Sequence, residues 1–599
     1  MRVAIVGAGA SGLSVALHLS PLVSKGLLHT VDVYEASPAN AVHPHCIANA
    51  SSASSTDNNS VDENFHPGSG STGRPIGVGI WSTALRPFAF TGWPSHARLL
   101  RQLERCGKYV GQVGYKTPSG SWLARSELDE GGVDPTRDNT DPSLLFLRES
   151  DLLVALRDAA KAEEELGHIQ IRYGSDDSDS NTNGNNDNGS TKVQSIVTHS
   201  DGVSGSLVFQ DGSRTDKQTP YHLIISAEGM SSNLRSEYAG RNVRSMTQLS
   251  TGMSSLGGGK SKGGGGGGVS SELREAWEED VQASINTVED RGYTVFRGNS
   301  PLTDEEAEME GISFQTWGVG RSMRFAAVGM SAPSPSGGEE VESQVWFATT
   351  NDRSIASIAD PDERRERLAD HFRSWHDPVA RLIESTPSGD ILVERGVAHR
   401  HSTRPVFDLA AIIEHERRVE ERAKAKERGQ EYREPSKTVD HDGPGPVLVF
   451  VGDASMTVDP VLAQGFTIGM EAAADLAQTL QKCAGPDFAI DISESSEEDN
   501  GSQKLLFDPE RLRFELKERH HRRYDRMMAL LRATELVQAL AQPSGPFSSF
   551  LTRFFIRPAM QLTPNFAKKP CFDFMLRYSL GLTSGGGSNN IVEMTRRGK

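Results

Sequence analysis

Cysteine is scarce in this chain. Four stand among 599 residues, Cys46, Cys106, Cys483 and Cys571, far apart and with no CxxC pair or histidine at ligand spacing. That pattern excludes a disulfide framework and a thiolate zinc site, and it fits a reducing compartment. Basic excess is also missing. Against 63 Lys and Arg stand 80 Asp and Glu, a net charge of −17, so no nucleic-acid surface is expected. No uncharged apolar run approaches the ~20 residues of a membrane-spanning helix. An apolar strand already begins at Val3, which leaves no room for a signal or transit peptide, and a cytoplasmic location is expected.

What the chain has in plenty is glycine, serine and acid, gathered in segments that cannot bury enough apolar surface to offset chain entropy. The segments 48–71, 174–191, 246–271 and 484–507 read as solvated, disordered insertions. Within the third, Gly257-Gly258-Gly259-Lys260-Ser261 has the look of a phosphate loop, but its required first glycine falls on Ser254 and no strand precedes it, so an ATP site is rejected. A fifth insertion, 412–443, is dense in Glu, Arg and Lys and reads as an exposed helix with i,i+4 ion pairs.

The most informative stretch is the first. Val3-Ala4-Ile5-Val6 is a strand, Gly7-Ala8-Gly9-Ala10-Ser11-Gly12 a glycine turn, Leu13 to Leu19 a helix, and Val31-Asp32-Val33-Tyr34 a second strand ending on Glu35. Strand, turn, helix, strand and acid in this order form the dinucleotide fingerprint. Gly7 permits the tight turn, Gly9 lets a pyrophosphate approach the backbone, and Gly12 lets helix and strand pack closely. Ala10 and Ser11 supply free N–H groups at the helix N-terminus. Glu35 is placed to accept hydrogen bonds from ribose hydroxyls. The fingerprint alone does not separate FAD from NAD.

Further strands are expected at Leu144–Arg148, Ile169–Tyr173, Val193–Thr198, Gly205–Phe209 and Tyr221–Ser226, and an antiparallel sheet from Tyr293 to Thr350. Pro361 to Ile383 reads as a helix with Phe372, Trp375, Val379, Leu382 and Ile383 on one face. A second informative stretch follows. Val447 to Val451 is a buried strand that ends in Gly452-Asp453-Ala454-Ser455, and a loop through Asp459-Pro460 leads to Gln464-Gly465 and a small-residue helix. A carboxylate thus stands at a strand tip, with a helix N-terminus of roughly half a positive charge just beyond it.

Together these motifs resemble the FAD-dependent aromatic-hydroxylase superfamily, the p-hydroxybenzoate hydroxylase-like group A flavin monooxygenases. The finer likeness is to the branch of FAD-dependent urate hydroxylase and zeaxanthin epoxidase, through Phe314-Gln315-Thr316-Trp317-Gly318-Val319-Gly320 and Phe372-Arg373-Ser374-Trp375-His376-Asp377-Pro378-Val379. The resemblance implies an α/β fold in which a Rossmann-type FAD-binding domain is interleaved with a β-sheet substrate domain, followed by C-terminal helices. By segment, it implies an FAD domain over 1–245, a substrate domain over 272–411, a flavin-contacting return over 444–483 and a helical region over 508–599.

It also implies that Gly7, Gly9, Gly12 and Glu35 hold the ADP part of FAD, and that Gly77 to Ile80 with Leu85-Arg86-Pro87 passes beside the flavin. Arg148 would help hold the cofactor, Asp453 would bind the ribityl chain, and Pro460 with Gly465 would form the loop against the ring. NADPH or NADH would act as a transient co-substrate, with O2 and a small organic molecule as the other reactants. A C4a-hydroperoxyflavin would then deliver oxygen for hydroxylation or epoxidation. Two positions depart from the pattern: Glu228-Gly229 stands for Asp-Gly, with Ser232 and Arg235 in the expected places, so that Glu228 is expected to keep the cofactor-binding role with altered geometry, and Met456 stands where histidine is usual.

Arg74, His399, Arg400 and His401 are the few residues that could face a substrate, and none has a catalytic signature. A non-hydroxylating oxidase or reductase of the same fold and an inactive FAD-binding scaffold remain alternatives. A halogenase is disfavoured, because no Trp-x-Trp-x-Ile is present. From Asp508 a long helix is expected with Leu512, Leu516, Met527, Met528, Leu531 and Leu540 as its packing stripe, and Lys517, Arg519, Arg522, Arg523 and Arg526 on the opposite side. The phenylalanine-rich run beyond it reads as a helical cap, or as a weak peripheral membrane contact. The oligomeric state is not legible.

Overall fold

The computed structural model describes residues 1–38, 76–133, 141–174, 190–239, 289–290, 292–301, 312–318, 323–332, 341–394, 398–399, 403–428, 443–458, 462–483, 508–541 and 546–582. The insertions 48–71, 246–271 and 484–507, most of 174–191, and Arg74, Arg400, His401, Asp459 and Pro460 lie outside them, as does the side chain of His399.

Five parallel strands form the first sheet, in the order Val447–Phe450, Leu223–Ser226, Arg2–Val6, Thr30–Pro38 and Ile169–Gly174. Ile5 pairs with Ile225 on one side and Val33 on the other, and Ile225 pairs in turn with Val449. Strands Arg2–Val6, Leu223–Ser226 and Val447–Phe450 are near-continuous apolar runs because both faces are covered, whereas the edge strand Ile169–Gly174 alternates exposed residues with buried or half-buried ones. Val3, Ile5, Val33, Ile225 and Val449 pack under helices Ala10–Ser24, Glu149–Glu165 and Gly465–Cys483. On the other face Ala4, Ile224 and Leu448 meet the hairpin Val193–Thr198/Gly205–Phe209 and the start of helix Leu409–Glu427. The charged insertion expected from residue 412 therefore has a core foot: Leu409 and Ile412 are buried, and only beyond them do Arg417 and Arg418 pair with Glu414 on the surface.

The second sheet has seven strands, in the order Leu392–Glu394, Thr294–Pro301, Val341–Thr350, Arg324–Ala332, Ile312–Trp317, Gln112–Lys116 and Trp122–Glu127. Its last two strands come from within 1–245, so the β-sheet domain expected over 272–411 draws on the first segment too; Gln112–Lys116 runs parallel to Ile312–Trp317. Phe296, Phe314, Phe325 and Trp346 fill the space under helices Pro361–Phe372 and Val379–Ser385. The single helix expected over 361–383 is two, because Asp377-Pro378 disfavours helical backbone at the residue before proline. Its other face, at Val328, Met330 and Val345, meets Trp81, Leu144 and Phe146. Those belong to a three-stranded sheet of Gly77–Trp81, Leu144–Arg148 and Lys108–Tyr109.

The long helix Pro509–Ala541 corrects one expectation. Leu512, Leu516, Met527 and Leu531 are buried as foreseen, but so are Arg519, Arg523 and Arg526. The arginines face helix Gly465–Cys483, where Arg519 Nε lies 3.2 Å from Asp475, Arg523 Nη1 3.4 Å from Glu471 and Arg526 Nη2 3.6 Å from Glu471. Burial is tolerated because carboxylates and carbonyls receive the charge. Even so, burial lowers the Arg519 guanidinium to about 10.

Candidate active site

Val6, Tyr34, Ser226 and Phe450 stand side by side on four neighbouring parallel strands, so Gly7, Glu35, Glu228 and Asp453 lie at or just beyond one end of the sheet. At Gly7 the backbone takes φ +102°, and an added Cβ would sit 2.5 Å from the Ala227 carbonyl oxygen. At Gly12 an added Cβ would come within 1.9 Å of the Gly7 carbonyl oxygen. Both glycines are thus required by the protein itself. Gly9 is different. Nothing lies within 4 Å of its Cβ position, and as the N-cap of helix Ala10–Ser24 it brings no side chain to the first N–H groups. Glu35 is held beside this turn, its Oε2 accepting from the Ala8 N–H (2.7 Å) and its Oε1 from the Ser37 N–H (2.9 Å).

Ser11 joins this turn to the return segment. A Cβ on Gly452 would lie 2.2 Å from Ser11 Oγ and one on Gly469 2.3 Å from it, so helix Ala10–Ser24 approaches both the tip of strand Val447–Phe450 and helix Gly465–Cys483. The small residues of that helix were the signal for this contact, although the partner was not legible. Asp453 is exposed in the turn that follows Gly452, and Gly465 opens its helix with nothing within 4 Å of its Cβ position.

The strand Gly77–Trp81 is fastened to the same loop. The Trp81 N–H donates to Thr467 Oγ1 (3.0 Å) and its indole N–H to the Leu462 carbonyl (3.3 Å). Ala463 in this loop has φ +50°, uncommon for a residue with a Cβ, and packs 3.5 Å from the Cβ position of Gly79. Arg148 ends the neighbouring strand opposite Gly77, and its Nε is buried with no hydrogen-bond partner. Gln464 is held from behind, with its amide donating to Ser579 Oγ (3.2 Å) and its oxygen accepting from Arg526 Nη2 (3.4 Å). None of these supports was visible in the sequence, because each partner lies far along the chain.

Glu228 is engaged by its own turn. Its Oε2 accepts from Ser226 Oγ (2.9 Å), Ser232 Oγ (2.7 Å) and the Leu234 N–H (3.3 Å), and burial raises its pKa despite these bonds. The extra methylene lets the carboxylate reach back to Ser232 and brace the Ala227 turn that backs onto Gly7. Met456 is buried against Ile468, Met527, Leu530 and Leu531, which makes it a packing residue between the return turn and the long helix.

On the sheet side, Tyr115 packs against Trp317 with ring centroids 4.1 Å apart and planes tilted by 40°, and Leu462, Met560 and Met575 pack around them. Trp317 thereby brings the Phe314–Gly318 motif to the loop that precedes Gly465. The His376 motif meets the same strand from the other face, with Nε2 2.8 Å from Thr316 Oγ1, a fastening of turn to sheet.

The donor set fits FAD. Two helix N-termini, each entered through an open glycine, would supply N–H groups for anionic oxygens; Arg148, whose Nε has no hydrogen-bond partner among the described residues, would offer a cation; and Glu35 and Asp453 would offer carboxylate acceptors to sugar hydroxyls. No protein-family model matches the chain. Over 102 residues it is 36% identical to the aurachin C monooxygenase/isomerase of Stigmatella aurantiaca, a stretch that covers 17% of this chain and only 22% of that enzyme. HpxO of Klebsiella pneumoniae, solved as a variant with FAD and also with FAD and uric acid, superposes with a TM-score of 0.52 at 14% identity. The match covers 96% of this chain in both cases and 98% and 96% of theirs. Parallel FAD-type sheet, mixed second sheet and near-complete coverage agree: the chain has the fold of the FAD-dependent group A monooxygenases.

Proposed function

We propose that this protein is an FAD-dependent monooxygenase that takes electrons from NADPH or NADH and one oxygen atom from O2 to hydroxylate or epoxidise a small organic molecule. The observation that carries the reading is the convergence of Gly9 and Gly465, both open and both at helix N-termini, around the contact of Ser11 with Gly452 and Gly469. FAD, when bound there, supplies the electron storage and O2 activation that no side chain can.

The chain's own part is binding, orientation and electrostatics. The Gly7–Gly12 turn and the N–H groups of Ala10 and Ser11 take the pyrophosphate, Glu35 the adenosine ribose, and Asp453 the ribityl hydroxyls. Arg148 neutralises anionic oxygen beside the Gly77–Trp81 strand. The Gly465 helix end, with roughly half a positive charge, stabilises negative charge held against it. Tyr115 and Trp317 form an apolar wall that excludes water on the substrate side. Glu228 acts on the cofactor only through the turn it braces.

Reconstitution with FAD, followed by NADPH and NADH oxidation with aromatic and polyene compounds while peroxide is monitored, tests the reading. Substrate-stimulated oxidation with oxygen in the product supports it. Stoichiometric peroxide with no oxygenated product identifies an oxidase instead. Failure to oxidise NADPH or NADH with any such compound, despite bound FAD, refutes it.

A further inference from the structure

The C-terminal helices leave apolar surface that the fold does not use. Among the described residues twelve large hydrophobic side chains are exposed, and eight of them lie between Phe547 and Phe574. Phe547 is 73% exposed, Leu562 84% and Phe566 80%. Several rings contact each other: Phe550 lies 4.8 Å from Phe554 and 6.0 Å from Phe555 between centroids. At roughly 150–250 Å² per ring, six phenylalanines half or more exposed present on the order of 700 Å². That area is the sum over the segment, and within it Phe554 and Phe555 each contact Phe550.

The other side of this segment is firmly seated. Arg557 is buried and donates from Nη2 to the carbonyls of both Trp317 and Gly318 (2.8 Å each), and Met560 and Met575 pack on the Tyr115–Trp317 wall. Arg526 Nη1 donates to the Ser579 carbonyl (2.6 Å). The exposed rings therefore ride on anchored helices. Charge distinguishes this segment as well. Residues 546–582 hold Arg553, Arg557, Lys568, Lys569 and Arg577 against the single acid Asp573, a net +4 (five minus one) in a chain of −17, or +3 without the buried Arg557. Lys569 and Arg577 pair with Glu127 and Asp141, but these pairs are exposed and weakly held.

We propose that this face seats on an anionic lipid bilayer. Aromatic rings beside lysine and arginine are what an interfacial segment presents to headgroups and acyl chains. Among the described residues no helix is long and apolar enough to cross a membrane, so the contact is one of lying on the surface. A second copy is the less favoured occupant, because a two-fold interface would set the same basic segment against itself. The proposal does not depend on the oxygenase reading.

The test is co-sedimentation of the FAD-loaded full chain with vesicles of phosphatidylcholine alone and with phosphatidylserine added, for the wild type and for the F554E/F566E double variant. Binding to the serine-containing vesicles that exceeds binding to phosphatidylcholine, falls with salt, and drops at least ~10-fold in the variant at unchanged FAD content supports the proposal. No sedimentation with anionic vesicles overturns it, as does equal sedimentation of the variant. Light scattering of the free protein closes the alternative. A dimer mass that becomes monomeric in the variant assigns the face to self-association and overturns the bilayer.

Discussion

Gly9 and Gly12 of the first turn provide the sharpest test of the cofactor site, because the structure separates what each does. At Gly12 a methyl group would meet the Gly7 carbonyl oxygen at 1.9 Å, a backbone atom that cannot rotate away. Gly12→Ala gains helix propensity of up to about 1 kcal/mol. It must also shift the helix off the sheet, an overpacking cost of roughly 1–3 kcal/mol or more, so net destabilisation of the free protein is expected. At Gly9 the methyl meets nothing within 4 Å, and φ is −71°, so Gly9→Ala costs only the roughly 0.5–1 kcal/mol of a poorer N-cap residue. The methyl does occupy the approach to the N–H groups of the helix. Losing one charge-assisted hydrogen bond there, worth roughly 1.5–3 kcal/mol, weakens FAD binding by about 10- to 150-fold. Thermal unfolding of the apoprotein and a flavin fluorescence titration measure the two effects. Wild-type FAD affinity in Gly9→Ala, or apoprotein destabilisation equal to that of Gly12→Ala, would refute the assignment.

Three further outcomes follow from the surroundings of the site. Glu228 has a pKa raised in the folded state, so its contribution to stability is full below the ordinary carboxylate value of 4.5 and is lost as pH rises through the raised value; Glu228→Gln should flatten that part of a pH–stability profile and weaken the turn by about 1–3 kcal/mol through its misplaced donors. Glu471→Leu leaves Arg523 and Arg526 buried beside an apolar side chain and should cost about 3–5 kcal/mol in denaturant unfolding, whereas adding Arg526→Leu should recover part of the loss. Arg557→Lys replaces a fork on the Trp317 and Gly318 carbonyls with a single ammonium and should expose the C-terminal helices to limited proteolysis at wild-type FAD content; unchanged cleavage would count against the anchoring role.

Short-range constraints made much of this protein readable before any tertiary structure. A turn that needs φ > 0 at Gly7 and no Cβ at Gly12 can be recognised from neighbouring residues, and so can strands buried on both faces, since their apolar runs are local. The strand, glycine turn, helix and strand at the start of the chain, Glu35 beside that turn, and the FAD-type fold were legible for that reason. The placement of Arg519, Arg523 and Arg526 was not. Helical periodicity assigns charges to the solvent side, and only the facing Glu471 and Asp475 reverse that assignment. Ser11 against Gly452 and Gly469, Thr467 under Trp81, and strands Gln112–Lys116 and Trp122–Glu127 in the second sheet were equally hidden. By itself, then, the sequence determined which segments bend, pair and carry the cofactor-type residues. Tertiary structure alone decided which of them meet, because a contact between residues hundreds of positions apart depends on packing and charge compensation that no local pattern records.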